Sequence, residues 1–273
     1  MVPDDIRKYN PEGSLLRRDQ LKMLELLKVF AALCEKHGIQ WWLCSGTLIG
    51  AARHKGFVPW DDDIDVAMMK RDYRKLKRVM RKWKSDEYFF QTMETDIEYV
   101  NPFARFGYKQ PKEHLTGTRT PYYKYRGISF DIFPMERSSR FAAHMAKFFY
   151  MNMQHPTQHI KTKWLRRTCI RLVEIINVGL LIPFTRLVGL INPKRQYHYQ
   201  LGAGFWKSAF YAEDIFPLST MEFEGCTFPV PGNADAYLTK IYGNWRQLPT
   251  EEQIKKGIHG NEYYEEMFGK RKD

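Results

Sequence analysis

Between Asp63 and Val66 the chain alternates acid and apolar residues, Asp63-Ile64-Asp65-Val66. In an extended strand successive side chains point to opposite faces, so Asp63 and Asp65 share one face while Ile64 and Val66 share the other. Such a strand constrains the fold from both sides. The apolar pair calls for a core, and two carboxylates held side by side repel each other unless a cation sits between them. A related signal lies in Ile128-Ser129-Phe130-Asp131-Ile132-Phe133, where Asp131 interrupts an apolar strand. A buried aspartate is costly unless it is paired or bound to metal. Each acid also has a plain structural reading: an acidic turn at a strand end for the pair, and a partner of Arg105 or Arg126 for Asp131.

The surrounding pattern predicts an α/β (α+β) fold with a small mixed sheet. Leu21, Leu24, Leu27, Phe30 and Leu33 recur at helical spacing over Asp19–His37, and Gly38 is placed to stop that helix. Strands are expected at 40–43, 63–68, 88–92, 103–108 and 127–133, with a short helix over 47–53 and a basic one over 71–83. From Phe141 onward the pattern turns helical, and the tail from Phe216 is rich in Pro, Gly and aromatics. The expected organisation is a core with the metal site over residues 1–137, and a helical, aromatic-rich part over 138–273 packed on it as one unit.

Upstream of the acids, Ser45-Gly46-Thr47 follows an apolar strand and opens a helix, a place where backbone N–H groups favour phosphate. Three acids on neighbouring strands beside such a turn suit phosphoryl transfer. One divalent ion lowers the pKa of the attacking hydroxyl and a second neutralises the phosphates, the two about 3.5–4 Å apart. Asp63, Asp65 and Asp131 are the candidate catalytic residues and the candidate ligands for Mg²⁺ or Mn²⁺. Strand alternation adds Asp61 as a further ligand and turns Asp62 elsewhere. Arg53, His54 and Lys55 lie close enough in sequence to reach phosphates, Trp60 is a candidate pocket wall, and Arg105 could bind phosphate or pair with Asp131.

The chain carries 43 Lys and Arg against 31 acids, a formal net charge of +12, which points to acidic partners. The surplus is spread along the chain with no long basic run, so a dedicated nucleic-acid arm is not expected. Cys34, Cys44, Cys169 and Cys226 form no CxxC pair, and with a polar N-terminal stretch they suit a reduced, cytoplasmic setting. Residues 172–191 are rich in Leu, Ile and Val and follow the basic stretch Lys161 to Arg171. They read either as an interfacial helix contacting the inner membrane surface over 161–191 or as a buried amphipathic pair broken near Pro183.

The stretch SGTLIGAARHKGFVPWDDDIDV, residues 45–66, closely resembles the signature of the LicD family, a branch of the polymerase-β-type nucleotidyltransferase superfamily. The superfamily pattern is Gly-Ser/Thr, then two acids flanking an apolar residue, then a third acid on a later strand. Gly46-Thr47, Asp63 with Asp65, and Asp131 match it in turn. Similar blocks follow at Asp131-Ile132-Phe133-Pro134, Phe216-Pro217-Leu218 and Tyr242-Gly243-Asn244-Trp245, and the likeness is weak over 137–214. The resemblance implies transfer of phosphocholine, or a related phospho-group, from CDP-choline or another CDP-linked donor. The implied acceptor is a sugar hydroxyl of a teichoic acid or lipopolysaccharide, free or lipid-linked, reached from the cytoplasmic face of the membrane.

Choline would need aromatic faces, and Trp41, Trp42, Tyr122, Tyr123, Tyr125, Tyr242 and Trp245 are all available. Two alternatives stand beside this reading. One is a nucleotidyltransferase moving NMP onto a small hydroxylated acceptor. The other is a non-catalytic protein binding a membrane or nucleic acid.

Overall fold

The computed structural model describes residues 8–110, 122–202, 207–258 and 260–270 of the chain. Helix α1 (Leu15–Lys36) starts where the Ser14 hydroxyl accepts the Arg17 N–H at 3.2 Å, and it buries Leu16, Met23, Leu27 and Phe30 along one face. That face lies on a mixed six-stranded sheet. Its strands are β1 (Trp42–Leu43), β2 (Asp65–Met69), β3 (Tyr88–Gln91), β4 (Ala104–Tyr108), β5 (Ser129–Arg137) and β6 (Tyr197–Tyr199), in the order β1-β2-β5-β4-β3 with β6 also paired to β5. β2 and β5 run parallel and the other pairs antiparallel. Phe30 meets Trp41, Phe106 and Phe130 with ring centroids 5.3, 5.9 and 5.3 Å away. Burying such a ring stabilises by roughly 1.5–3 kcal/mol.

Helix α2 (Ser45–Ile49) continues through a π-type turn, Gly50–His54, and α3 (Lys70–Lys82) turns Tyr73, Leu76 and Met80 inward. The fold class expected from the sequence is the one observed. The main apolar cluster runs from Met23 to Leu238 and takes in Phe210, Phe223, Phe228 and Tyr237, so the core passes across residue 137.

A helical layer follows: α4 (Arg140–Phe149), α5 (Lys163–Ile176) and α6 (Ile182–Ile191). The expected break near Pro183 does not occur. Lys163–Ile191 is one helical run of 29 residues. Asn177–Leu181 forms a π-type turn and Pro183 sits in the first turn of α6, where its missing N–H and its ring are tolerated. Nor is the run buried, since Trp164, Ile175, Leu187 and Ile191 are exposed.

The remainder is α7 (Ala212–Ile215), the hairpin β7 (Ser219–Phe223) and β8 (Cys226–Val230), α8 (Ala234–Tyr242), α9 (Glu251–Gly257) and α10 (Asn261–Phe268). Tyr9, Leu16, Ile254, Ile258 and Tyr263 form a second small core, against which Trp60 packs. The four cysteines are free, with Cys34 and Cys44 buried.

Candidate active site

The site is built where β1 turns into α2. Ser45 makes the turn at φ +53°, a left-handed conformation that a non-glycine residue adopts under constraint. Gly46 follows, and a Cβ there would lie 2.4 Å from an Asp61 carboxylate oxygen, so only glycine lets Asp61 rest on the helix start. Thr47 Oγ1 accepts the Asp65 N–H at 2.8 Å, and the Cys44 N–H donates to the Asp65 carbonyl at 3.1 Å. The Ser45 hydroxyl donates to Cys44 Sγ at 3.7 Å and lies beside the Asp65 carboxyl, whose pKa it helps to lower. The Ser45 and Thr47 side chains therefore serve Asp65, and the expected phosphate contact would fall to the backbone of this turn. Both are buried, because β1 pairs directly with β2 and leaves their hydroxyls facing Asp65.

The regular strand begins at Asp65 and not at Asp63. The chain is already engaged before it, since the Asp131 N–H donates to the Ile64 carbonyl at 3.0 Å. Asp65 and Asp131 are register partners on the parallel strands β2 and β5. Burial, then the charges of Asp63, Asp62 and Asp65, hold the Asp61 carboxyl well above the ordinary range, and it shares a hydrogen bond with Asp63. Burial, then Asp63 and Asp131, raise Asp65 in the same way. Asp131 is pushed up to about 7 by burial, with Arg105 opposing the rise and Asp63 adding to it. Asp63 is thus the hub of the cluster: its charge acts on all three others.

Asp62 is only partly where alternation puts it. One carboxylate oxygen accepts the Gly260 N–H at 2.9 Å, yet Asp61, Asp62 and Asp63 each bring a ligand atom within 4.8 Å of the other two. The loop from Gly56 to Asp62 is no longer an extended strand, so successive acids are free to converge. Arg105 Nε lies 3.6 Å from Asp131 Oδ1 and its guanidinium donates to the Ser129 hydroxyl. Of its two readings the structure favours the partner of Asp131.

The acids open into a cavity of about 620 Å³ lined by Gly46, Arg53, Trp60, Asp61, Asp63 and Asp65 on one side, and by Tyr242, Asn244, Trp245, Gln247 and Gln253 from the tail. Arg53 lines it but is also bound to the tail, donating to the Trp245 and Gln247 carbonyls at 3.1 and 3.4 Å. His54 Nε2 accepts from Arg53 Nε at 2.8 Å, and burial with the Arg53 charge holds the imidazole down to about 4. Lys55 is the clearest correction. It ends the π-type turn at φ +55°, which swings its side chain out to Glu222 at 3.4 Å and away from the acids. The loop between is held by Glu224, which takes a bidentate pair from Arg17 at 3.0 and 2.8 Å and the Phe57 N–H at 3.1 Å.

The family description "LicD/FKTN/FKRP, nucleotidyltransferase domain" matches residues 38–174, half of the chain. The chain belongs to the LicD family. Among similar proteins, the lipopolysaccharide cholinephosphotransferase LicD of Haemophilus influenzae is 28% identical over 255 residues, covering 88% of this chain and 94% of that protein. Ribitol 5-phosphate transferase FKRP of Mus musculus is 35% identical over 72 residues, 26% of this chain and 15% of that one. Its Homo sapiens counterpart is 38% identical over 48 residues, 18% of this chain and 10% of that one.

The LicD-family match ends before the tail, which supplies the far wall of the cavity. Asn244, Gln247 and Gln253 were not singled out by the sequence. Their one signal is the Tyr242-Gly243-Asn244-Trp245 block, where Gly243 turns at φ +68°. The structure also sorts the aromatic candidates. Trp41 and Trp42 are in the core, Tyr122 lies under Arg166, Tyr123 meets Tyr99 and Tyr125 stacks on Phe89, while Tyr242 and Trp245 reach the cavity.

Proposed function

We propose that this LicD-family protein transfers phosphocholine, or a related phospho-group, from a CDP-linked donor to a sugar hydroxyl of a cell-surface glycan. The observation that carries the reading is the convergence of Asp61, Asp63 and Asp65 on one wall of a cavity large enough for a nucleotide-linked donor, with Asp131 beside Asp65. The donor set fits a hard divalent ion: four carboxylates crowd together, burial and like charge raise those of Asp61, Asp65 and Asp131, and Arg105 is a cation beside Asp131. Bound at Asp63, Asp65 and Asp131, with Asp61 as an added ligand, Mg²⁺ or Mn²⁺ would neutralise the donor phosphates and lower the pKa of the acceptor hydroxyl.

The remaining work falls to the chain itself. The acceptor oxygen attacks the phosphocholine phosphorus, the bond to the CMP oxygen breaks, and CMP leaves. Asp131, one strand along from Asp65, takes the acceptor proton. Arg105 holds the Asp131 carboxylate, while Ser45 and Thr47 hold Asp65. Arg53 fixes the Trp245–Gln247 segment over the donor. Trp60, Tyr242 and Trp245 offer aromatic faces for a trimethylammonium group. Residues 1–137 carry the chemistry, with 138–273 packed on them as one unit. A lipid-linked acceptor would bring the protein to the cytoplasmic membrane face, with 161–191 as the contact.

Calorimetric titration of CDP-choline with Mg²⁺ into wild type and Asp63→Ala tests the reading. Metal-dependent binding that the variant loses supports it. No binding of CDP-choline, with binding of another CDP-linked donor or of an NTP, keeps the site and overturns the donor. The family's nucleotidyltransferase domain favours a second reading, a nucleotidyltransferase. Free CMP among the products supports the first reading, and pyrophosphate from an NTP the second.

A further inference from the structure

In a water-soluble protein a surface helix turns its apolar side inward. The Lys163–Ile191 run does so only in part: Ile170, Leu181 and Ile182 are buried, but most of its large apolar side chains face outward. Its inward side is also held by polar and close backbone contacts. Arg166 Nε donates to Glu98 Oε2 at 2.7 Å with both side chains buried, and Asn177 bonds to Gln154. Arg186 Nε donates to Glu136 at 3.3 Å, and Gly189 lies so close to Arg137 that a Cβ would fall 2.1 Å from its carbonyl oxygen. The outward side is apolar: Trp164 is 70% exposed and Ile191 71%, with Leu172, Ile175 and Leu187 exposed between them. On the adjoining α4, Phe141 and Phe148 are exposed as well. An apolar surface of this extent on a folded protein marks a contact site.

The charge around it names the partner. Residues 138–195 hold ten Lys and Arg and one acid, Glu174, and so account for most of the chain's positive surplus. Exposed cations stand at both ends of the run, Lys161 and Lys163 before it and Lys194 and Arg195 after it. Two copies meeting through this face would bring like charges together. We infer that the α4–α6 layer docks on an anionic lipid bilayer, with its apolar side chains in the headgroup region and its cations on the lipid phosphates.

Length and composition alone would let this helix cross a membrane: its most apolar window has a mean hydropathy of 1.7. The inward contacts argue against a crossing. They fasten the run to the body from Arg166 near one end to Gly189 near the other, so it lies along the protein surface. The inference rests on the assignment of 161–191 to the membrane side in the proposed function and enlarges it to α4. It does not depend on the donor or the metal.

The test is co-sedimentation of the full chain with vesicles of phosphatidylcholine, with and without phosphatidylglycerol, at low and high salt. Binding is expected only with phosphatidylglycerol and should fall with salt. Lys161→Glu/Lys163→Glu should weaken it roughly tenfold or more. Trp164→Ser/Ile175→Ser/Leu187→Ser should weaken it at least as much; these positions are exposed, and an unchanged melting temperature would show that the fold survives. Alkaline carbonate should release the bound protein. Equal binding to neutral vesicles, or none to either, overturns the inference. Retention after carbonate overturns it in favour of a spanning helix, and a dimer dissolved by the serine variant overturns it in favour of a second copy. Turnover with a soluble sugar acceptor should survive both variants. Vesicle binding without any turnover would therefore count against the transferase reading alone.

Discussion

Two regions of the molecule draw charge in from solvent, fully buried around Glu98 and half-buried around Asp63, and they do so in opposite ways. Around Glu98 the charges are of both signs: one carboxylate takes Arg166 at 2.7 Å and Arg167 at 2.9 Å, and Arg166 also lies over the Tyr122 ring at 3.5 Å. Around Asp63 the charges share one sign, with Arg105 on Asp131 the cation paired there. The hydrogen bonds to Glu98 pull its carboxyl below the ordinary range against the cost of burial. In the acid cluster burial and repulsion push the same way, and the carboxyls rise. A buried group whose needs the chain meets is part of the scaffold. A cluster of like charges whose repulsion the chain leaves open is a candidate binding site for a cation.

The two regions should therefore answer mutation with opposite signs. Asp63→Asn should abolish turnover of the CDP-linked donor and yet raise the melting temperature in metal-free buffer, because it removes the charge that repels Asp61, Asp65 and Asp131. Parallel assays of product and melting would show it, and a destabilised variant would break the comparison. Glu98→Gln should do the reverse, costing about 3–5 kcal/mol in urea denaturation because it strands a buried guanidinium, while turnover per folded molecule stays near wild type.

Smaller effects sharpen the same contrast. Saturating Mg²⁺ should stabilise the wild type, by about 2.7 kcal/mol when the ion is at 100 times its Kd, and should do nothing for Asp63→Asn. Differential scanning calorimetry with and without chelator reads this directly. The pH profile is the finest probe. His54 and His198 are held down to about 4 from 6.5, mainly by burial. The unfolded chain then binds more protons, so their contribution is full above about pH 6.5 and is lost as pH falls toward 4. Asp131 is raised to about 7, so in metal-free buffer its folded form holds a proton that the unfolded chain has released. Its contribution is lost as pH climbs from about 4 to 7. With Mg²⁺ bound the acid slope should vanish and the histidine slope remain. Melting curves from pH 4 to 8, with and without the ion, would show one slope or two.

Much of the site was legible because its signals are local. Alternation over 63–66 put two acids on one face, the apolar run over 128–133 set Asp131 in a strand, where it is half-buried, and Gly46 announced a close approach. The placements the sequence did not show needed partners from elsewhere in the chain. Nothing near Ser45 or Thr47 shows that Asp65 folds back onto their hydroxyls. Nothing near Lys55 shows that a left-handed residue will aim it at Glu222, more than 160 positions on. Asp62 converged because the loop before β2 is not a regular strand. Pro183 did not break its helix because a π-type turn absorbed the mismatch just before it.

By itself the sequence determined the fold class and the family, and it singled out the acids as candidates, since each rests on side-chain periodicity or on residue types at fixed short spacing. Only the tertiary structure decided which face of Lys163–Ile191 points outward, because the helix is apolar over most of its circumference. The choice was made by Glu98, Gln154 and Glu136, which draw its polar residues inward. Only the tertiary structure closed the cavity, too. Its far wall at 242–257 comes to the acids through Arg53 and the Trp245 and Gln247 carbonyls, a long-range contact of backbone acceptors that every residue carries and that no motif records.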